Sequence, residues 1–180
     1  MRWLAWFLVV LLSASSFGAE ANDAPLVFPR IKQYGGVVAL PHSAEPPRAG
    51  AKVVFDITSE SPPKDVHSGL ERVARYLNLH ALAGHGADDL RLALVLHGAA
   101  TKIALRDEAY ALHTDVPHNP NGQLLKLLKA AGVEVFVCGQ SLARNKYAVE
   151  EVAPDVTVAV SAMTVTVNRQ FDGYAYVPVH

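Results

Sequence analysis

The sequence predicts an α/β fold: a compact, doubly wound, mostly parallel five-stranded sheet with helices on both faces. Two observations carry that expectation. Five short apolar runs, most of them rich in β-branched residues, alternate with stretches of helical periodicity, and several runs are apolar almost without interruption, as strands covered on both faces are. Such alternation demands crossover connections that keep the strands mostly parallel and distribute helices over the sheet.

The first strand is expected over residues 52–57, where Val53, Val54, Phe55 and Ile57 surround Asp56. Pro62 and Pro63 close the loop behind it. Val66, Leu70, Val73 and Leu77 then recur at helical spacing, with Glu71, Arg72 and Arg75 as polar positions, until Gly84 and Gly86 stop the pattern. Residues 90–96 read as the second strand, ending at His97-Gly98, and residues 99–112 as one helix. After the loop 117–122, a short leucine-rich helix runs to Gly132, a natural C-cap, and residues 133–137 form the third strand. A short helix is expected over 142–152 and a fourth strand over 156–160. The next segment reads as a helix capped by Ser161, because Met163, Val167, Gln170 and Phe171 repeat at helical intervals and Gly173 ends them. Residues 174–177 supply the last strand.

The ends set the domain organisation. Arg2, an apolar stretch from Trp3 to Leu12, and small residues up to Ala21 follow the order of a secretory signal peptide over residues 1–21, with Ala19 and Ala21 at the −3 and −1 positions; a weaker cut lies after Ala19. The apolar core is short for a bilayer span, so no membrane anchor is expected after cleavage, and the mature chain would be periplasmic or secreted. Residues 22–50 read as an arm broken by Pro25, Pro29, Pro41, Pro46 and Pro47. The domain proper is residues 51–180.

A net charge of −1 supplies no field for nucleic acid. No GxGxxG follows the first strand, no GxxxxGK occurs, and GxSxG is absent, so no cofactor is expected and a Ser-His-Asp hydrolase lacks its motif. Cys138, His97 and His113 lack the close spacing that organises zinc ligands, and no metal is expected.

Ligands of open parallel sheets lie beyond the carboxyl ends of the strands. Asp56, His97 and Cys138 each stand at such an end. Cys138 is the single cysteine of the chain, so it cannot close an intrachain disulfide. Followed by Gly139-Gln140-Ser141, it enters a turn where backbone N–H groups can converge on sulfur and lower its pKa. His97 would assist its deprotonation if the second and third strands are neighbours. Gly139, Gln140, Ser141 and Asp56 are possible anion or substrate contacts. Each has a plainer reading beside it: a buried apolar thiol, a histidine bonded to a loop carbonyl, a turn-capping carboxylate, and a capping Ser141. Asn78, within Leu77-Asn78-Leu79, is expected to bond a loop backbone or a neighbouring subunit.

Several segments together resemble one family. These are Arg72-Val73-Ala74-Arg75-Tyr76-Leu77-Asn78-Leu79, Leu94-Val95-Leu96-His97-Gly98-Ala99-Ala100-Thr101, Asn119-Pro120-Asn121, Val135-Phe136-Val137-Cys138-Gly139-Gln140-Ser141-Leu142, and the ending from Ser161 to Tyr174. In order and spacing they are similar to exported, periplasmic members of the DsrE/DsrF-like family. The resemblance implies a homo-oligomer (dimer, trimer or hexamer), and places Cys138 and His97 at that subgroup's cysteine and strand-end histidine. Cytoplasmic relatives carry persulfide sulfur in relay complexes. Two functions follow as expectations: a periplasmic sulfur-handling protein carrying sulfane sulfur on Cys138 toward a thiol or persulfide partner protein, or a noncatalytic oligomeric binding or assembly module with a structural Cys138.

Overall fold

The computed structural model describes residues 24–179. The leader expected over residues 1–21 lies outside the described residues. Along the chain run β1 (Ala51–Ile57), α1 (Ser68–Leu82), β2 (Leu90–Leu96), a 3-10 helix (Gly98–Ala104), α2 (Asp107–Thr114), α3 (Gly122–Ala130), β3 (Glu134–Cys138), α4 (Gly139–Asn145), a short 3-10 turn (Val149–Glu151), β4 (Thr157–Ala159), α5 (Ala162–Phe171) and β5 (Ala175–Val179). The strands form one sheet in the order β4-β3-β2-β1-β5. Every pairing is parallel.

That order explains how the helices divide. From β1 to β4 the chain steps across the sheet in one direction, and crossovers of one hand then fall on one face. The return from β4 to β5 passes to the far side of β1, so its helix must lie on the opposite face. On the first face Leu70, Val73 and Leu77 of α1, Leu124, Leu125 and Leu128 of α3, and Leu142 of α4 pack on Val53, Phe55, Leu92, Leu94, Val135 and Val137. On the second, Ala162 and Val165 of α5 join Tyr174 over Val54, Ala93, Val95 and Cys138. One face carries a thick core, and the other a single helix.

Side-chain alternation along each strand fixes which face a residue meets. Val54 and Asp56, Ala93, Val95 and His97, Phe136 and Cys138, and Tyr174 and Tyr176 share the parity of the α5 face. The polar residues at the strand ends therefore emerge on the thinly covered side.

Two expected helices differ in detail. Residues 99–112 do not form one helix: Leu105 is extended, and the carbonyls of Ile103 and Leu105 accept from Nδ2 of Asn119 at 2.8 and 2.7 Å instead of continuing a ladder. The helix expected over 142–152 starts earlier, at Gly139, and stops at Asn145, because Lys146 takes a left-handed conformation (φ 61°) and the chain turns away before the 3-10 turn. In α5 the stripe that marks the helix is not the one that packs. Met163, Val167 and Phe171 point outward and Ala162 and Val165 inward, with Ser161 Oγ accepting from the Thr164 N–H at 3.1 Å as the cap.

Residues 24–50 lie against the domain as a strap. Ile31 is buried in the main core, a burial worth about 2 kcal/mol. Asn78 ties the strap down: its Oδ1 accepts from the backbone N–H groups of Arg30 and Ile31 (2.9 and 2.8 Å), and its Nδ2 donates to the carbonyls of Ile31, Tyr34 and Gly35. Gly35, at φ +60°, lies so close to α1 that a Cβ would stand 2.2 Å from the Arg75 nitrogen. Only glycine fits there.

Candidate functional site

The site lies at the carboxyl end of the sheet, where β3 and β4 part. From β3 the chain enters α4 on the thick face; from β4 it enters α5 on the thin face. Adjacent strands whose connections leave to opposite faces open a crevice between them, the position where open α/β sheets bind ligands. Cys138, the last residue of β3, stands in that crevice.

Two helix starts approach its sulfur. The backbone N–H groups of Gln140 and Ser141 come from the first turn of α4, and that of Ala162 from the first turn of α5; the Ser141 hydroxyl is a further donor. Burial pushes the Cys138 thiol up, but these donors together outweigh it and hold the thiol below its ordinary value. Ser141 Oγ also accepts from the Gly98 N–H at 3.3 Å, which ties the turn after β2 to the start of α4. Gly139 makes the convergence possible, since a Cβ there would come within 2.9 Å of the Ala159 carbonyl oxygen. The Gln140 side chain turns outward, its Nε2 donating to the Val160 carbonyl at 3.4 Å.

β2 and β3 are neighbours, with Leu96 opposite Val137. Extending that register by one residue sets His97 level with Cys138, about 4.8 Å of strand spacing away. The thiolate charge contributes to His97's environment. The His97 ring has a second fixed neighbour: Nε2 donates to Asp56 Oδ1 at 2.6 Å. That hydrogen bond is the main cause that raises the His97 pKa; burial opposes it, and the charges of Asp56 and Cys138 add to it. Imidazolium and thiolate thus favour one another.

Asp56 therefore reaches His97 directly, and on its other side it meets a residue that sequence reasoning did not select. Tyr176 donates its hydroxyl to Asp56 Oδ2 at 2.6 Å, and this bond pushes the phenol up to about 12. The signal was present in strand parity: Tyr176 pairs with Val54 and shares the face of Asp56, one step down the neighbouring strand. Knowing it required β5 to lie beside β1, which follows from the topology and not from the motif.

Access to the thiol is narrow. Cys138 is 4% exposed, whereas Tyr176 is 42% exposed. A hollow of about 540 Å³ lined by Arg30, Asp88, Arg91 and Gly132 lies at the opposite end of the sheet, before β2 and β3, and takes no part in this chemistry. Among the described residues no group of three or more His, Cys, Asp and Glu side chains is arranged to hold a metal ion. His113 lies apart, with Nε2 3.4 Å from Glu151 Oε1 and its ring on Tyr147.

The profile of the DsrE/DsrF-like family matches residues 52–179. Among solved structures the chain is similar to the protein of unknown function MTH1491 from Methanobacterium thermoautotrophicum, with a TM-score of 0.53 and 21% identity over 72% of this chain and 99% of that one. It is also similar to the ychN protein from E. coli, with a TM-score of 0.43 and 18% identity over 71% of this chain and 99% of the other. No curated protein matches the chain. The match to the family profile takes in all five strands and everything between them, from β1 through β5, and the chain belongs to the DsrE/DsrF-like family.

Proposed function

We propose that this is a periplasmic sulfur-handling protein that carries sulfane sulfur as a persulfide on Cys138. The observation that carries the reading is the thiol itself: a single cysteine at the β3–β4 crevice, its sulfur facing N–H groups from two helix starts and a histidine held by a carboxylate. Such a setting stabilises a thiolate, the form of cysteine that attacks sulfur. In the loading step Cys138 Sγ attacks the sulfane sulfur of a polysulfide. One S–S bond forms, the donor's S–S bond breaks, and the electron pair leaves on the donor fragment, which takes a proton from His97. Unloading is the same exchange with a partner protein's thiolate attacking the outer sulfur and Cys138 leaving. Neither step needs an external oxidant or reductant. The leader-like order of residues 1–21 supports export, with donor and acceptor then outside the inner membrane.

Intact-mass measurement tests this directly. The mature protein exposed to inorganic polysulfide is expected to gain one sulfur atom, reversed by dithiothreitol, and Cys138→Ser is expected to gain none. No gain by a protein whose Cys138 alkylates readily in the native state would overturn the reading.

The low exposure of Cys138 favours a second reading, a noncatalytic oligomeric binding or assembly module in which the thiol is packing. It predicts slow native alkylation, fast alkylation after unfolding, and an assembly unchanged in Cys138→Ala. Both readings share an assembly: we propose that the chain forms a homo-oligomer through the outward stripe of α5, where Met163 is 75% and Phe171 86% exposed.

A further inference from the structure

Across the thin face of the sheet the polar residues form a diagonal ladder. Tyr176 is opposite Val54, Asp56 opposite Val95, and the next residue outward on β2 with the same parity is His97. Each rung moves one strand across and two residues up, a diagonal of about 8 Å between α-carbons, which a tyrosine or histidine side chain spans. Both contacts made along the ladder are 2.6 Å and both end on one carboxylate: Tyr176 Oη on Oδ2, His97 Nε2 on Oδ1. The Asp56 side chain is only 13% exposed, and each ring donates to one of its two oxygens.

An imidazole is a useful proton acceptor only at the nitrogen that carries no proton, and a hydrogen bond at one ring nitrogen decides which one that is. With Nε2 donating to Asp56, the neutral ring has its lone pair on Nδ1. If the carboxylate were free to rotate, that bond would be intermittent and both tautomers would be populated. The tyrosine hydroxyl opposes that rotation, because turning the Asp56 side chain would break a second charge-assisted bond.

We propose that Tyr176 is a positioning residue for His97: its hydroxyl fixes the Asp56 carboxylate, the carboxylate fixes the imidazole as the Nε2–H tautomer, and Nδ1 is left to exchange a proton with Cys138. This deepens the sulfur-handling reading and rests on it only for the identity of the proton's other owner. When the thiol ionises, its proton passes to Nδ1 and the ring becomes imidazolium, with Nε2–H still on Asp56. When a leaving fragment needs a proton, Nδ1–H returns it.

The test is long-range nitrogen–proton NMR of the His97 ring in the full mature protein, as a function of pH, in wild type, Tyr176→Phe, Asp56→Asn and Cys138→Ser. In wild type at alkaline pH the expected signature is one tautomer, Nε2 pyrrole-like and Nδ1 pyridine-like. Tyr176→Phe keeps the ring and loses the hydroxyl; it should give mixed tautomers and move the His97 titration toward its ordinary value by about half a pH unit. Asp56→Asn should do the same to a larger extent, and Cys138→Ser should leave the tautomer unchanged. A packing role for Tyr176 would alter melting and leave the tautomer alone. Unchanged tautomer and titration in Tyr176→Phe would overturn the proposal, as would an Asp56→Asn ring identical to wild type. Sulfur uptake by intact mass is read on the same samples. Uptake lost everywhere while the tautomer coupling persists removes the sulfur reading and supports the positioning role; uptake intact with no coupling does the reverse.

Discussion

At the scale of single residues, the chemistry reduces to where one proton resides. Cys138 is held below its ordinary value and His97 above its own, so both shifts favour the thiolate–imidazolium pair over the neutral one. The consequence for stability has a definite sign. His97 gains Asp56 on folding, which raises its folded pKa. Its contribution is therefore fully present below the unfolded value of about 6.5 and is lost as pH rises through the folded pKa. The stability difference between wild type and Asp56→Asn, measured by urea unfolding above the carboxylate range, is accordingly expected to be largest near pH 6 and to shrink with rising pH. A difference that stays flat from pH 6 to 9 would mean that the short contact seen between His97 and Asp56 carries no charge. Tyr176 leaves this window undisturbed, because its own ionisation is pushed up to about 12.

At the scale of elements, the strap shows how much one buried amide can organise. Asn78 lies in the middle of α1, fully buried, and satisfies two backbone donors and three carbonyls of a segment that has almost no ladder of its own beyond the Val27–Val37 bridge. Asn78→Ala strands those groups, each unmade buried bond costing about 1–3 kcal/mol. The expected result is a loss of about 2–4 kcal/mol in unfolding free energy and rapid proteolysis within residues 24–40, with the alkylation rate of Cys138 at the far end of the sheet unchanged. Equal proteolysis of wild type and variant would show that the strap is not held by this residue. The strap also marks a limit of what patterning conveys. Strands and most helices were legible because their apolar periodicity is a property of consecutive residues, and Cys138, His97 and Asp56 were legible as strand ends. A proline-broken segment has no period, and its fold depends on partners some forty residues away. The break between the 3-10 helix and α2 escaped for the same reason, since it is imposed by Asn119 from beyond α2. Tyr176 escaped because its meaning depends on strand order. The stripe of α5 was legible as a helix but not as a surface, because periodicity reports that one side differs from the other and not which side is covered.

At the scale of the molecule, the one-directional march of β1 to β4 and the single return to β5 produce an unequal sandwich. The thick face is complete within the chain. The thin face is closed by Ala162 and Val165 of α5 with Tyr174, and the outside of that helix carries an apolar stripe: Met163, Val167 and Phe171 follow one another along it, exposed, with exposed Val160 just before its start. The stripe begins beside the thiol, where the Val160 carbonyl receives the Gln140 side chain. An assembly through α5 would therefore form at the rim of the site and narrow its entrance further. Size-exclusion chromatography with light scattering is expected to give a multiple of the monomer mass for the mature protein. Met163→Asp combined with Phe171→Asp removes two large apolar side chains per copy, each worth about 2 kcal/mol when buried. The loss of about 4 kcal/mol on each side of the interface corresponds to association weaker by at least roughly a thousandfold, enough to give monomers at micromolar concentration. Because both side chains point away from the core, the variant should keep its circular dichroism and melting cooperativity. Its Cys138 alkylation should become faster as the rim opens. A monomeric wild type, or a double variant that keeps the wild-type mass, would dismiss the α5 stripe as an interface. Unchanged alkylation in a dissociated variant would separate the interface from the thiol, leaving the entrance to be shaped by Gly139, Ser141 and the first turn of α5 alone.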